Sequence, residues 1–180
     1  WSFMAAMLMG AWSLQSCDNE PTKEVWLDEF GQDSCYVQDW GMLEVNRSVV
    51  HTPLTVNGVV YERGLGAHSI SRLLYDLDGK AVSISGLAGA DDKNLFAGKL
   101  QFKILGDKKE LWKSGVMQKG DPVKEFNVNL KGVDKVLLLV EECGDGIMYD
   151  HADWLNVKIT TRGDVKPVPA WAKPVAKEKY

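Results

Sequence analysis

Apolar residues in this chain recur at every second position, and no stretch carries a helical apolar stripe of ten residues or more. Leu100, Phe102 and Ile104 alternate with Gln101 and Lys103, and Phe126, Val128 and Leu130 alternate with Asn127 and Asn129. Leu155, Val157 and Ile159 do the same around Asn156 and Lys158. Successive side chains of a strand point to opposite faces, so this pattern requires sheets with one covered and one solvated face. Val136 to Val140 is apolar throughout, as a central strand covered on both sides would be. Further strands are expected at Val25–Phe30, Val59–Arg63, Ala67–Asp76, Val82–Ala88 and Leu111–Ser114. About eight or nine strands, with turns roughly every 8–12 residues, specify an all-β antiparallel sandwich.

Strand direction then sorts the loops. With antiparallel strands from Ala67 onward, three compact turns with a Gly share one end: 78–80, 106–109 and 131–134. The other end gathers 64–69, 89–94, 117–122 and 141–153, which hold most of the chemically rich side chains. Loops carried on one end of a rigid sandwich are where binding function concentrates.

The flanks differ in composition. Residues 1–16 are uncharged and mostly apolar, too short a run to span a bilayer but the size of a signal-peptide core. Leu14-Gln15-Ser16-Cys17 resembles a bacterial lipoprotein box, so 1–17 is expected to direct export, with Cys17 as a lipidation site. Because no basic residue precedes the apolar run and the chain starts at Trp1, a few residues are expected to be missing from its start. The product would be periplasmic, surface-anchored or secreted, touching a membrane only through a lipid. Residues 24–162 form the expected folded domain, and 163–180 read as a Pro-rich linker toward a further domain. A net charge of −4 and a pI near 5.4 lack the basic footprint of a nucleic-acid binder. Cys35 and Cys143 have no zinc-type spacing and are expected to be unpaired and partly buried, in a module that is monomeric.

The densest polar cluster is Gly144 to Trp154. Its carboxylates Asp145, Asp150 and Asp153, with two Gly allowing tight turns, are a candidate oxygen donor set for a structural Ca²⁺, although the EF-hand spacing is absent. The same Asp residues would equally serve as ordinary turn caps. Asp91-Asp92 and Asp150/Asp153 raise the thought of a glycosidase acid/base pair, but adjacent strand residues face opposite ways and catalysis by this domain is not expected. His68 opens a strand at the rich end, where a neutral imidazole can hydrogen-bond a sugar hydroxyl and Arg72 or an Asp can complete a clamp. The alternative is a histidine satisfied within a strand-end network. Trp40-Gly41 and Trp154 are the aromatics nearest these loops, Trp154 being at least as suited to the core. Trp26 and Trp112 are expected in the core. No dinucleotide fingerprint, P-loop, GxSxG or HExxH occurs.

Taken in order, Val25-Trp26-Leu27, Asp39-Trp40-Gly41, Leu54 to Gly58, Tyr61 to Ser69, Leu74 to Gly79, Gly89 to Asp92, Leu111 to Val116 and Gly144 to Trp154 resemble the NPCBM family of carbohydrate-binding modules attached to glycoside hydrolases. The resemblance runs from about Val25 to Thr160. It implies a galactose-binding-like jelly roll, galactose-type glycans as ligands and often a structural calcium. His68, Asp91, Asp92, Asp150, His151 and Trp154 match the motifs. With Arg72, the carbohydrate-contacting candidates are His68, Asp91, Asp92, His151 and Trp154. Ser83 to Ala88 replaces the usual aromatic-bearing strand, and Ala90 stands where Val is commoner. The tail, with Trp171 and Glu178-Lys179-Tyr180, is similar to the junction between such a module and an alpha-galactosidase catalytic domain. The reading is a non-catalytic module that targets an exported glycoside hydrolase. Its rivals are the N-terminal part of an alpha-galactosidase, known by that activity, and a structural or protein-binding sandwich.

Overall fold

The alternation becomes two antiparallel sheets in a computed structural model that describes residues 20–95 and 98–169. One sheet holds β1 (Lys23–Trp26), β3 (Glu44–Val45), β6 (Gly64–His68), β8 (Ala81–Ala90), β11 (Lys124–Asn129) and β13 (His151–Thr161). Its order is β11-β8-β13-β6-β3, with β1 also paired to β13. The other holds β2 (Cys35–Gln38), β7 (Ser71–Asp76), β9 (Leu100–Gly106), β10 (Lys109–Met117), β12 (Lys135–Glu142) and β14 (Lys166–Pro167), in the order β10-β9-β12-β7-β14 with β2 also on β7. A separate hairpin joins β4 (Leu54–Val56) to β5 (Val59–Tyr61). Leu100, Phe102 and Ile104 of β9 meet Phe126 and Val128 of β11 and Trp154 of β13 in one core. β12 lies between β9 and β7, and its outward Leu137 and Leu139 are also covered, as its unbroken apolar run requires.

Four expectations change. The strand expected at Val25–Phe30 stops at Trp26, and Leu27–Ser34 is 3-10 helical, kinked at Gly31 with φ of 61°. The single strand expected at Ala67–Asp76 is two, β6 and β7, in different sheets. Both bury apolar side chains, so the pattern gives no sign of the crossing at Ser69–Ile70. That crossing is held from elsewhere in the chain: Ser69 Oγ donates to Asp150 Oδ2 at 2.5 Å, and the Ser69 N–H donates to the Asp150 carbonyl. The alternation at 155, 157 and 159 conceals a bulge. Leu155 pairs with Leu87 but Lys158 with Ser85, so β13 spends one extra residue, and Asn156 takes it up at φ of 50°. Leu155 therefore faces the outside of the sheet while Val157 and Ile159 face the core. Trp26 is half-buried at an edge, with the Arg63 guanidinium 4.3 Å from its ring centre while Arg63 also pairs with Asp28. Trp112 packs at the border of the core against Phe126, 5.1 Å between ring centres.

Residues 46–61 fold back over the outer face of the first sheet. This close approach depends on positions without a side chain. A Cβ on Gly66 would lie 2.3 Å from the Arg47 carbonyl oxygen, and one on Gly89 would lie 2.7 Å from Val56. The obstacle at Gly66 is backbone, which cannot rotate away, so Gly66→Ala is expected to cost about 3 kcal/mol, or roughly 6–12 °C in melting temperature. Thermal denaturation checks this; an unchanged midpoint would mean that the excursion does not rest on β6.

The two ends differ as the turn chemistry requires. At one end the Asp107 carboxylate accepts the Asp134 and Lys135 N–H groups at 3.1 and 2.9 Å, lacing the short turns together. Cys35 and Cys143 are unpaired and partly buried. The apolar leader with Cys17, and the tail with Trp171 and Glu178-Lys179-Tyr180, lie outside the described residues.

Candidate functional site

At the opposite end, His68 closes β6 and His151 opens β13, directly across the ladder from one another. Ala67 and Ala152 beside them face the core, so strand alternation sends both imidazoles to the outer face. Their ring centres are 5.5 Å apart and both side chains are buried. Trp40, from the loop between β2 and β3, lies over the pair. Its ring is 4.8 Å from His68 and tilted by 49°, and 5.9 Å from His151 and parallel to within 6°. Trp40 remains 48% exposed, which sets it apart from the aromatics of the core. These three rings form one part of a cleft of about 680 Å³, completed by Val50, Thr52, Lys93, Leu95 and Ile147 to Tyr149.

The polar groups beneath hold this arrangement. His68 Nδ1 lies 2.6 Å from the Ser69 carbonyl oxygen. A carbonyl only accepts, so Nδ1 carries the proton, and Nε2 of the neutral ring is the acceptor left for a ligand. Burial lowers the pKa of both histidines, and His68 lowers that of His151 further. Both rings are therefore neutral near pH 7. Asn94 grips the backbone of His151 from both sides, accepting its N–H at 2.9 Å and donating to its carbonyl at 3.1 Å.

The structure assigns distinct places to the residues singled out in the sequence. His68 and His151 line the cleft. Asp91 is buried; its carboxylate accepts the Thr55 and Lys93 N–H groups. Asp92 accepts the Asn57 and Gly58 N–H groups at 3.0 and 2.7 Å, capping the turn of the β4–β5 hairpin. Trp154 is fully buried between Phe102 and Phe126, inside the sandwich. Arg72 follows Ser71 on β7, on the outer face with Leu74, and is not among the residues that line the cleft. His51 lies apart from the other two histidines, 3.3 Å from Glu44.

Residues 23–160 match the NPCBM/NEW2 domain. The chain belongs to this family. The chain is 28% identical over 172 residues to Alpha-1,3-galactosidase B of Akkermansia muciniphila, an alignment over 91% of this chain and 22% of that protein. The chain thus spans about a fifth of the relative's length. Among solved structures it is similar to the CBM51 of Clostridium perfringens GH95 in complex with methyl-galactose, at 25% identity and a TM-score of 0.68, covering 76% of this chain and 99% of that one. It is also similar to the C. perfringens ZmpB structure with an M60 catalytic domain and two CBM51 domains, at 28% identity and a TM-score of 0.70, covering 78% and 15%. Both structures contain CBM51 domains, which are carbohydrate-binding modules.

The expected calcium ligands are not gathered as a set in this NPCBM/NEW2 domain. Asp145 sits in an exposed turn and accepts the Lys99 N–H at 3.2 Å. Asp150 bonds Ser69, and burial raises its pKa to about 6. Asp153 is on β13, whereas Asp150 precedes that strand and its carboxylate is taken up by Ser69. Among the described residues, no three His, Cys, Asp or Glu side chains come together to hold a metal. The donor chemistry that does fit is elsewhere. Asp153 is fully buried against the Asp91 carboxylate, and burial followed by that carboxylate raises its pKa well above the usual range. Two facing buried carboxylates call for a shared proton or a hard cation.

Trp40 carries the clearest site signature, yet the sequence separates it from His68 by 28 positions and from His151 by 111. Asp39-Trp40-Gly41 marks it as an aromatic in a turn, and Gly41 at φ of 67° provides that turn. Asn94 gave no such signal, because its role is to grip backbone across the fold.

Proposed function

We propose that this NPCBM/NEW2 domain is a non-catalytic carbohydrate-binding module for galactose-type glycans, and that it directs an exported glycoside hydrolase to them. The observation that carries the reading is an exposed Trp40 ring standing over two buried, neutral histidines in a cleft. An aromatic face matches the apolar C–H face of a pyranose, and the His68 Nε2 lone pair accepts from a ring hydroxyl without burying a charge. Galactose presents an uninterrupted apolar face opposite its axial hydroxyl, which suits one ring below and acceptors beside it. A site for a single sugar binds weakly, with Kd on the order of 0.1–1 mM, so tethering to an enzyme supplies the useful avidity. The relative with alpha-1,3-galactosidase in its name supports the choice of sugar class. A glycan array probed with the full chain tests this. Signal confined to terminal galactosides and N-acetylgalactosaminides, and absent from Trp40→Ala, is expected; a folded protein silent on these glycans would overturn it.

Calcium belongs to the proposal as a structural ion held by Asp153 and Asp91. When bound, it would neutralise the facing carboxylates and tie β13 to the 91–94 loop that positions His151. Chelation is then expected to lower the melting temperature by about 5–10 °C relative to calcium at a hundredfold its Kd. Asp153→Asn is expected to be insensitive to the chelator. If the chelator changes nothing and Asp153→Asn melts higher than wild type, the pair shares a proton instead, and calcium is rejected.

A further inference from the structure

The cleft holds more apolar surface than a plain hexose can use. Leu95 and Met148 are each 73% exposed and Ile147 is 37% exposed, and all three line the cleft together with Val50 and Trp40. Single exposed apolar side chains need no explanation, but several around one concave site mark a contact surface. These three come from two loops that abut. A Cβ on Gly98 would lie 2.6 Å from Asp150 Oδ1, 2.8 Å from the Tyr149 carbonyl oxygen and 2.9 Å from that of Met148. The loop carrying Leu95 also grips His151 through Asn94. The apolar wall is therefore fixed relative to the histidines. A volume of about 680 Å³ is in the range that holds drug-sized ligands and leaves room beyond one six-membered ring.

We infer that the cleft selects N-acetylated galactose-configured sugars over galactose itself, with the acetamido methyl seated against Leu95, Ile147 and Met148. This rests on the carbohydrate-binding reading above and names the substituent that reading leaves open. A hydroxyl at the same sugar position gains nothing from this wall and loses hydration against it, whereas a methyl removes apolar surface on both sides. Lys93, which lines the same cleft, supplies an ammonium donor for the acetamido carbonyl.

The test compares methyl α-N-acetylgalactosaminide with methyl α-galactoside by titration calorimetry on the full chain. The N-acetylated ligand is expected to bind about tenfold more tightly, the factor one added methyl group brings in an apolar pocket. Met148→Ser and, independently, Leu95→Ser are expected to bring the ratio of the two affinities toward one. Both positions are exposed, so the variants should retain the wild-type melting temperature. Equal affinities in wild type, or a ratio unmoved by both variants, would overturn the inference and leave the galactose-type reading standing. Binding of neither ligand by folded protein would defeat that reading, and this one with it.

Discussion

Trp154→Ala is expected to cost about 3–5 kcal/mol, a large share of the roughly 5–15 kcal/mol that holds a domain folded. The indole is fully buried, with Phe102 at 4.9 Å and Phe126 at 5.8 Å, both edge-on. It stands on β13, between β6 and β8, where residues Leu65 and Ala88 pair with it. Deleting it opens a cavity in the middle of the sheet that the paired strands cannot close. Its Nε1 has no partner, so Trp154→Phe gives up volume without losing a hydrogen bond and should cost less, about 1–2 kcal/mol. Urea denaturation followed by circular dichroism measures both. A Trp154→Ala protein that unfolds at the wild-type urea concentration would contradict this placement, and one that also lost sugar binding would return Trp154 to the ligand site.

Trp40→Ala should behave in the opposite way. Nearly half of this side chain is already in water, and its loss leaves the sandwich intact, so the melting temperature should move by no more than about 2 °C. Affinity for a galactoside should fall by about thirtyfold or more, the loss of a single dominant aromatic anchor of 2 kcal/mol. Titration calorimetry on the folded variant reads this. An affinity within threefold of wild type would remove Trp40 from the site.

The paired substitutions also show what was legible in the sequence. Alternation at 100–104 and 126–130 is a property of neighbouring residues, so it named the sheets and their inward faces correctly. The division into a plain end and a rich end followed from turn chemistry and antiparallel counting, and Asp107 lacing 134–135 opposite the histidine pair bears it out. What escaped are features that depend on distant contacts. The crossing between sheets at Ser69 is fixed by Asp150, 81 positions away. The bulge at Asn156 keeps the apparent period while reversing the face of Leu155. Asp91 and Asp92, conspicuous as a carboxylate pair, accept backbone N–H groups of the 55–58 excursion, whose approach depends on Gly66 and Gly89 having no side chain. The motif order singled out His68 and His151, which the fold brings together under Trp40, whereas separating cleft-lining residues from those that support the fold required the burial of each side chain.

The central claim is that galactose-type sugars bind where Trp40 covers His68 and His151. Two-dimensional ¹H–¹⁵N NMR of the full chain, titrated with methyl α-galactoside, addresses it most directly. Saturable shifts of the Trp40 indole N–H and of the His68 and His151 signals, with the Trp154 indole and the 106–109 and 131–134 turns unmoved, are the predicted result. Shifts centred elsewhere on the sandwich, or no saturable shifts from folded protein, would contradict the account.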